Sequence, residues 1–387
     1  MIGIDCTFLS VMECRERQFH ISFSIFLAEL LDAFTEMGLQ KQFCLIVNYY
    51  QVPFLKERFP GYTFCVIPFF PGEIMMKLLG ERHGTARINP YLKKSGAYAR
   101  ALQKEDLQMV WFPCASLDGT VELELPVVYT VHDLIDYHKK TDQPDMVAAY
   151  TELVQRATHL VAISDYTRKD IIESFGYEKE ISVVHNSIQM DISVQEPLAE
   201  QERPFILCLN GYGEHKNTLT LIKAYQKIMD ETELDLICCG GWMDEDYWEM
   251  LQAYLQENDL RQRVHLHFAV PQAQRNWLLG NASLFVTPSL KEGFGRTPVE
   301  AAICKIPVIS STCDSLQEAT QGLVQYYQNA RSVQELSDVM LQSIKNPPKE
   351  EMLEEISRKL TDIYKPVRLA EKYWSVFQKV LNEVEKL

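Results

Sequence analysis

A short stretch near residue 292 combines two carboxylates with two glycines and a proline. In "SLKEGFGRTPVEA", residues 289–301, Glu292 and Glu300 stand eight positions apart. An apolar run precedes the stretch and a helix-forming run follows it, which predicts a strand, a glycine turn and the first turn of a helix. Glycines before a helix N-terminus let backbone N–H groups approach an anion, which the helix dipole also favours. The stretch therefore predicts a phosphate site with Glu292 beside it, accepting hydrogen bonds from neutral hydroxyls.

Glu300 has two interpretations at this point. Thr297 as N-cap, Pro298 at the first helical position and Glu300 reaching back would form a capping box. Alternatively, Glu300 accepts hydrogen bonds from a pair of hydroxyls, such as those of a ribose. A phosphate with attached hydroxyls occurs in sugar nucleotides, so the pattern points to that class of ligand.

Two other predicted strand ends carry candidate binding residues. "LCLNGYGEHKNTLTLIKAY", residues 207–225, also indicates strand, glycine turn and helix, with Asn217 as N-cap. Lys216 lies at the positive end of that helix dipole, so either a bound anion relieves an unfavourable charge or the side chain is a solvated surface lysine. His132 follows the apolar strand of "LPVVYTVHDL". It is either a donor to a sugar oxygen or phosphate, or an ordinary loop histidine.

Metal binding is not indicated. Asp244 and Asp246 have the Asp-x-Asp spacing of a metal pair, but they open a predicted helix, where acidic residues favour the dipole. We therefore expect Asp244 and Asp246 to cap that helix. The ten cysteines show no Cys-x-x-Cys or Cys/His metal spacing. Just before the two aspartates, Gly240 and Gly241 predict close backbone approach at another strand end.

Composition limits the class of protein. The chain has 387 residues, of which 47% are hydrophobic, and a formal net charge of −15, which argues against nucleic-acid binding. Most cysteines lie in apolar runs and are predicted to be buried free thiols, which implies a reducing compartment. The N-terminus lacks the basic region of a signal peptide, and no uncharged apolar run is long enough for a membrane span. We expect a cytoplasmic protein.

Alternating strands and helices must position these residues. Apolar runs predict strands near 1–9, 42–50, 63–70, 109–113, 125–132, 159–164 and 181–186, then in "PFILCLN", "LDLICCG", "VHLHFA", "SLFVTPS", "IPVISS" and "LVQYY". In the first half, helices are predicted near 20–37, 87–104, 145–157 and 166–174. This alternation predicts an α/β protein with parallel sheets and crossover helices.

A polar, acidic segment with two prolines interrupts the pattern and predicts a linker at 190–203. The prediction is therefore two Rossmann-like, doubly wound domains, 1–189 and 204–365. The stripe in residues 366–387 predicts a final helix that packs on the body of the protein. Ligands of such sheets bind at the carboxyl ends of strands, so a cleft between two facing domains is the expected site.

Residues 81–104 form a basic segment in an acidic protein. Six basic residues stand against one acidic residue, Glu81, giving +5: Arg82, Arg87, Lys93, Lys94, Arg100 and Lys104. Apolar residues recur at helical spacing among them. A basic amphipathic helix can contact an anionic membrane or acceptor, or it can be a solvated face over a buried stripe.

Together these landmarks resemble the retaining glycosyltransferases of the GT-B fold, in glycosyltransferase family four. "PSLKEGFGRTPVEAAICKIPVISSTCDSLQEA" looks like the family's donor motif, and "GYGEHKN", "VHDL", "THLVAISDYTRKDI" and "VVHNS" look like its other landmarks in the family's order. The resemblance covers nearly the whole chain. It implies an N-terminal acceptor domain, a C-terminal nucleotide-sugar domain and a last helix that crosses back to the first domain.

The resemblance also implies roles for individual residues. Glu292 would hold sugar hydroxyls, Lys216 would neutralise the diphosphate, and His132 would face the sugar from the other domain. The implied donor-binding residues are Gly211, His215, Asn217, Gly241, Gly293, Phe294, Gly295, Arg296, Thr297 and Glu300, with Glu300 on the ribose. Arg87, Lys93, Lys94 and Arg100 are the implied acceptor or membrane contacts.

Three features depart from the family pattern, and His215 matches only a subgroup of the family. Gly211 stands where many members have an arginine that binds phosphate. His215, directly before the lysine, resembles a subgroup of bacterial mannosyltransferases. The glycine-rich loop after the first strand is missing, with Arg15 or Arg17 as substitutes, and Lys305 stands where a glycine is usual.

The function implied is metal-independent, retaining transfer of a hexose from GDP-mannose or a UDP-sugar to a glycan or lipid-linked acceptor, in cell-surface polysaccharide or lipopolysaccharide assembly. No cofactor is expected, and the enzyme would be cytoplasmic or peripheral on the inner face of the cell membrane. The alternatives are a non-catalytic binding partner on the same fold and a sugar-nucleotide epimerase. A dinucleotide oxidoreductase is disfavoured, because no Gly-x-Gly-x-x-Gly follows the first strand.

Overall fold

The chain forms two compact units in a computed structural model of the protein. The first comprises Met1–Ser187 and Lys365–Leu387, and the second Ile188–Tyr364. The structure describes residues 1–9, 14, 22–67, 96–114, 123–139, 141–199, 201–241 and 244–384. The junction thus falls between residues 187 and 188, and the segment predicted as a linker, 190–203, belongs to the second unit.

The first unit contains a seven-stranded parallel sheet in the order β3-β2-β1-β4-β5-β6-β7. Its strands are β1 Ile2–Asp5, β2 Phe43–Asn48, β3 Thr63–Ile67, β4 Met109–Phe112, β5 Val127–Val131, β6 His159–Ala162 and β7 Ile181–Val183. Most are buried along their whole length, because parallel sheets are covered by helices on both faces. All seven strands predicted in this half are confirmed.

The helices of the first unit that precede the junction vary in length. They are α1 Ser22–Glu36, α2 Val52–Arg58, α3 Ala97–Leu102, α4 Ile135–Lys139, α5 Pro144–Arg156 and α6 Asp165–Phe175. The predictions near α1, α5 and α6 are confirmed, and α3 forms the end of the helix predicted at 87–104, whose first part lies outside the described residues. Helices α2 and α4 escaped prediction because α2 buries only Leu55 and α4 buries no side chain, so neither leaves an apolar stripe.

The second unit contains a six-stranded parallel sheet in the order β10-β9-β8-β11-β12-β13. Its strands are β8 Phe205–Leu209, β9 Asp235–Gly240, β10 Val264–Phe268, β11 Leu284–Thr287, β12 Val308–Ser311 and β13 Gln325–Tyr327. Its helices are α7 Thr218–Ile228, α8 Glu245–Glu257, α9 Gln272–Asn281, α10 Arg296–Ile303, α11 Leu316–Ala319, α12 Val333–Lys345 and α13 Glu350–Ile363. All six predicted strands are confirmed, so the doubly wound fold of both units is as the sequence indicates.

The last helix, α14 Pro366–Val384, lies in the core of the first unit. Its Phe377 ring lies 5.2 Å from Trp111, and Tyr373 lies 4.9 Å from the same indole. The Trp111 indole N–H donates to Thr130 at 2.9 Å, which satisfies the buried polar atom. The end of the chain is therefore part of the core built by its beginning.

The cysteines are all free thiols. Seven are buried, as predicted, while Cys114, Cys304 and Cys313 are half-buried. Burial raises the pKa of Cys44 to about 12, so that thiol stays protonated at neutral pH. In the part of the chain that the structure describes, no helix is both long and apolar enough to cross a membrane.

The packing of α14 predicts the effect of truncating one side chain. Phe377→Ala should lower the free energy of unfolding by about 3–5 kcal/mol, because a large buried ring leaves a cavity. Urea unfolding of the full chain measures this. Met352→Ala is the control, because Met352 is 53% exposed on α13 and its truncation should change the free energy by less than about 0.5 kcal/mol. Equal effects of the two substitutions would contradict the placement of α14 in the core.

Candidate functional site

The carboxyl ends of β8 and β11 lie side by side where the strand order of the second sheet reverses. Strand β8 pairs with β9 on one side and with β11 on the other, so the loops that follow β8 and β11 part there. The backbone N–H of Leu290, after β11, donates to the carbonyl of His215, after β8, at 2.7 Å. In doubly wound sheets, such a switch point forms the crevice that binds the ligand.

Two residues singled out in the sequence meet at this switch point. The Lys216 ammonium lies 2.7 Å from Oε1 of Glu292, and both side chains are largely buried, with 15% and 13% exposed. Lys216 ends a short 3-10 turn, Glu214–Lys216, directly before α7. The Glu292 carboxylate therefore offsets a positive charge that the α7 dipole would otherwise disfavour. A phosphate would compete for the same ammonium and release the carboxylate to accept from hydroxyls.

Side chains from its own loop and from the loop after β12 hold Glu292 in place. The Ser289 hydroxyl donates to Oε1 of Glu292 at 2.8 Å. The Glu292 N–H donates to Oδ2 of Asp314 at 3.2 Å, and the Ser315 hydroxyl donates to the Glu292 carbonyl at 2.9 Å. The sequence analysis missed these three residues. The polar run "SSTCDS", which begins at the end of β12 and contains Asp314 and Ser315, was a usable signal for two of them.

Asn217 occupies the N-cap position of α7, as predicted, but it does not cap by the predicted hydrogen bond. Its backbone is left-handed, with φ of 58°, which asparagine tolerates better than most residues. Its amide donates instead to the carbonyls of Pro288 and Ala330, at 3.0 and 2.7 Å. Asn217 therefore ties the loop after β8 to the loop after β11.

The capping box predicted at the start of α10 is wrong. The helix begins at Arg296 with Gly295 as N-cap, and no side-chain capping bond forms, so Thr297 lies inside the first turn. Gly295 has φ of 91°, and a Cβ there would overlap the Leu316 side chain. Only glycine fits this turn, which explains the second glycine of "EGFG". The neighbouring Phe294 is buried, with its ring 5.4 Å from Tyr364.

Glu300 is buried and bound by two arginines instead of reaching back to a cap. One oxygen accepts from Nη2 of Arg275 on α9, and the other lies 3.4 Å from Nε of Arg296. Burial raises the pKa of Glu300, but Arg275 and then Arg296 outweigh it and hold that pKa below its usual value. Arg275 is a site residue that the sequence analysis missed, because a lone arginine in "QAQRNWLL" carries no spacing signal.

The structure shows the local geometry of the other residues singled out in the second unit. Asp244 caps α8, as predicted, by accepting from the N–H of Tyr247 at 3.1 Å. A Cβ on Gly240 would lie 2.5 Å from the Asn210 carbonyl oxygen, so the close approach predicted there is confirmed. At Gly241 no atom of the described residues lies within 4 Å of a Cβ added there, so the close approach at this position stays a prediction. Gly211 follows β8 in the switch-point loop and is half-buried.

His132 lies at the carboxyl end of β5 in the first unit. Its Nε2 lies 2.9 Å from the carbonyl oxygen of Pro113, which can only accept, so Nε2 carries a proton. The rings of Phe23 and Phe26 meet the imidazole edge to face, at 4.6 and 5.2 Å. The ring is therefore fixed in orientation, and its role toward a sugar stays a prediction.

Only some of the residues predicted to contact an acceptor or membrane are among those that the structure describes. Arg100 is exposed on α3, whose Tyr98 and Leu102 are buried in the core. Arg15, Arg17, Arg87, Lys93 and Lys94 lie outside the described residues. In the described ranges, no group of three or more His, Cys, Asp or Glu side chains is placed to hold a metal ion. Membrane contact and metal independence both stay predictions.

Two doubly wound parallel-sheet units, with a charged pair at a switch point, are the architecture of a GT-B glycosyltransferase. Solved structures agree on the fold. Anabaena HepE in complex with UDP and glucose is 16% identical, with a TM-score of 0.69 over 97% of this chain and 99% of that one. Sucrose-phosphate synthase from Thermosynechococcus elongatus is 14% identical, with a TM-score of 0.72 over 99% of both.

Sequence comparison narrows the class to a family. Residues 189–360 match the family model "Glycosyl transferases group 1", and residues 80–192 match "Glycosyltransferase Family 4". The chain is 30% identical to O-antigen chain mannosyltransferase B of Escherichia coli over 57% of its length and 61% of the relative's. It is 31% identical to O-antigen chain mannosyltransferase RfbU of Salmonella typhimurium, over 65% and 68%. The chain belongs to the group 1 glycosyltransferases, and it is an enzyme of that class.

The Glu300 cluster predicts a pH-dependent contribution to stability. Glu300→Gln should lower the free energy of unfolding at pH 7 by about 3–5 kcal/mol, because two partly buried arginines lose the counter-charge of a buried carboxylate. Because the folded pKa is depressed, the stabilisation is present above the unfolded pKa of about 4.3 and is lost as the pH falls through the folded pKa. Urea unfolding at pH 7 and at a series below pH 5 measures the difference between variant and wild type.

The control for this experiment is Glu354→Gln, since Glu354 pairs with Lys305 at the surface. Its effect should be small at both ends of the pH range, because exposed ion pairs contribute little. A Glu300→Gln effect that stays constant from pH 7 to the acid limit would mean that the carboxylate is not ionised in the folded protein.

Proposed function

We propose that the enzyme transfers a hexose, with retention of anomeric configuration and without a metal, from a nucleotide-diphosphate sugar to a glycan or lipid-linked acceptor in cell-surface polysaccharide or lipopolysaccharide assembly. The observation that carries the proposal is the Lys216–Glu292 pair at the switch point. The Lys216 ammonium can bind a phosphate and the Glu292 carboxylate can accept from hydroxyls, and the two groups lie 2.7 Å apart. These are the two chemistries that a sugar diphosphate presents.

Mannose from GDP-mannose is the first choice of sugar and donor. Both curated relatives described above are named O-antigen chain mannosyltransferases. His215 directly before Lys216 also matches the mannosyltransferase subgroup that the sequence resembles. A UDP-sugar is the second choice, since the HepE structure of the same fold holds UDP and glucose.

The main electrostatic requirement of the proposed reaction is stabilisation of the leaving diphosphate. In the proposed reaction the bond between the sugar C1 and the diphosphate oxygen breaks, and the acceptor oxygen bonds to C1 on the same face. The acceptor proton passes to the departing phosphate oxygen. The transition state has oxocarbenium character, so negative charge grows on the diphosphate. Lys216 and the backbone N–H groups at the start of α10 would stabilise that charge.

The two arginines that bind Glu300 offer an explanation for the glycine at position 211, where many family members have a phosphate-binding arginine. Arg275 and Arg296 together carry two positive charges against the one negative charge of Glu300. We infer that this excess positive charge, with Lys216, substitutes for the phosphate-binding arginine that other family members have. Glu300 then meets the ribose, and His132 faces the sugar from the first unit. The site would act in the cytoplasm or on the inner face of the membrane.

Removal of one carboxylate tests the proposed chemistry. Glu292→Ala should lower kcat for transfer from GDP-mannose or a UDP-sugar by about 10²–10³-fold, because a charge-assisted hydrogen bond to the reacting sugar is lost. Transfer of radiolabelled sugar to membranes or glycan acceptors measures it. Glu354→Ala is the matched control, because it removes a carboxylate that also pairs with a lysine, but at the surface. Unchanged transfer by a folded Glu292→Ala variant would refute the assignment.

Nucleotide binding in the presence of EDTA tests the donor class and the absence of a metal. GDP, UDP, ADP, TDP and their sugar conjugates are titrated against thermal unfolding. A ligand at about a hundred times its dissociation constant should add roughly 2.7 kcal/mol of stability. We expect a shift with guanine or uracil nucleotides that EDTA does not abolish. A shift that appears only with added Mg²⁺ would contradict metal independence, and no shift with any nucleotide would contradict the donor assignment.

A further inference from the structure

Residues 191–196 form a strap along α9 within the second unit. The Asn276 amide of α9 donates to the carbonyls of Asp191 and Val194, at 3.2 and 3.0 Å. The Gln272 amide donates in turn to Oδ1 of Asn276 at 2.8 Å, which holds the Asn276 amide in one orientation. The strap is exposed at most of its positions, whereas Asn276 is only 4% exposed. A buried side chain of α9 therefore binds a surface segment through both of its N–H donors.

The strap fixes α9 in a way that the sheet does not. Leu278 and Leu279 of α9 are buried, and the Trp277 ring stacks on Phe205 of β8 at 5.6 Å. Such apolar contacts are non-directional, so they hold a helix against a sheet without defining its position along its own axis. Hydrogen bonds are directional, and a further one joins the Glu196 N–H to a carbonyl in the first turn of α9, at 3.0 Å. We therefore expect the strap to set the axial position of α9.

Helix α9 also holds the buried carboxylate of Glu300. Arg275 comes directly before Asn276 and binds Glu300 of α10. Consecutive side chains of a helix point about 100° apart, so the strap and Glu300 meet different sides of α9. Arg296 contacts Glu300 as well, but its Nε lies 3.4 Å away, longer than a strong charge-assisted hydrogen bond. Burial raises the pKa of Glu300, and Arg275 contributes most to lowering it. The position of the carboxylate therefore depends chiefly on Arg275.

We propose that Asn276 is a positioning residue for the ribose of the donor nucleotide, because it ties α9 to the strap and thereby sets where Arg275 holds Glu300. The inference rests on the proposed function, since it takes Glu300 as the acceptor of the ribose hydroxyls. A carboxylate has about four lone-pair sites, so Glu300 can accept from two arginines and from two hydroxyls. A shift of α9 by about 1 Å would move a hydrogen bond out of its normal range of length.

Discrimination between ribose and dideoxyribose tests the inference. Calorimetry measures the dissociation constants of GDP and UDP, each beside its 2′,3′-dideoxy analogue. The ratio of the two constants, analogue over natural nucleotide, reports the contacts to the ribose hydroxyls alone. For the base that the wild type binds, this ratio should be about tenfold or more, because hydrogen bonds to a charged group are lost with the hydroxyls.

Asn276→Ala should weaken the natural nucleotide by about three- to tenfold and change the analogue by less than about twofold, so the ratio falls. General damage to the site would weaken both ligands and leave the ratio unchanged. Asn281→Ala is the matched control, because Asn281 is the exposed last residue of the same helix, and it should not change the ratio. Gln272→Ala removes the bond that orients the Asn276 amide and should lower the ratio too. Because Gln272 is exposed, this variant carries the test if Asn276→Ala does not fold.

Arg275→Met separates positioning through Arg275 from other effects of the substitution. In the Arg275→Met background, Asn276→Ala should leave the ratio unchanged, because the two residues act in series. An unchanged ratio in both Asn276→Ala and Gln272→Ala, or an equal fall with and without Arg275, would overturn the inference while the donor site stands. A wild type that binds the natural nucleotide and its analogue equally well would overturn the ribose role of Glu300 and the inference with it. A wild type that binds neither GDP nor UDP would overturn the proposed function itself.

Discussion

A lysine ammonium and a glutamate carboxylate lie 2.7 Å apart at the one place in the second sheet where neighbouring loops diverge. Two opposite charges that are largely removed from water stabilise the fold only if their hydrogen-bond geometry is good. The surrounding loops supply that orientation. Asn217 bridges to Pro288 and Ala330, and the Ser311 hydroxyl donates to the Ser289 carbonyl at 2.7 Å. Loops after three strands are thereby held as one piece.

Helix α9 links this site to the segment that follows the junction between the units. Arg275 binds Glu300, and the next residue, Asn276, donates to the carbonyls of Asp191 and Val194 at 3.2 and 3.0 Å. The Glu196 N–H also donates to the Ala273 carbonyl at 3.0 Å. A displacement of α9 would therefore disturb a carboxylate of the site and the start of the second unit together. The start of the segment predicted as a linker, 190–203, is therefore hydrogen-bonded to α9, the helix whose Arg275 binds Glu300.

The fold could be predicted well from the sequence because its strands and helices follow local patterns of apolar residues. Four of the six predicted strands of the second unit are buried along their whole length, and the stripe of α14 is a helical repeat that must be covered. Short helices were not predicted because they bury too few side chains to show an apolar pattern. Helix α4, for example, buries no side chain.

The site was predictable in its members but not in their partners. Glu292, Lys216 and Glu300 could be named from glycine turns at strand ends, because residue type and position suffice for that. Their pairing depends on strand order, which brings the loops after β8 and β11 together although Lys216 and Glu292 lie 76 positions apart in the sequence. The capping box failed because a distant arginine outcompetes a local backbone N–H for a buried carboxylate. Interactions across sequence distance leave no trace in local spacing.

A double-mutant cycle on nucleotide affinity tests the central claim that Lys216 and Glu292 act as one site. Calorimetry measures the dissociation constants of the preferred nucleoside diphosphate and its sugar conjugate for wild type, Lys216→Met, Glu292→Gln and the double variant. Because the two side chains are in contact, the effects on the sugar conjugate should be non-additive by about 0.5–3 kcal/mol. Lys216→Met should weaken both ligands, and Glu292→Gln chiefly the sugar conjugate. Additive effects within about 0.5 kcal/mol, or no effect of either substitution, would contradict a shared site.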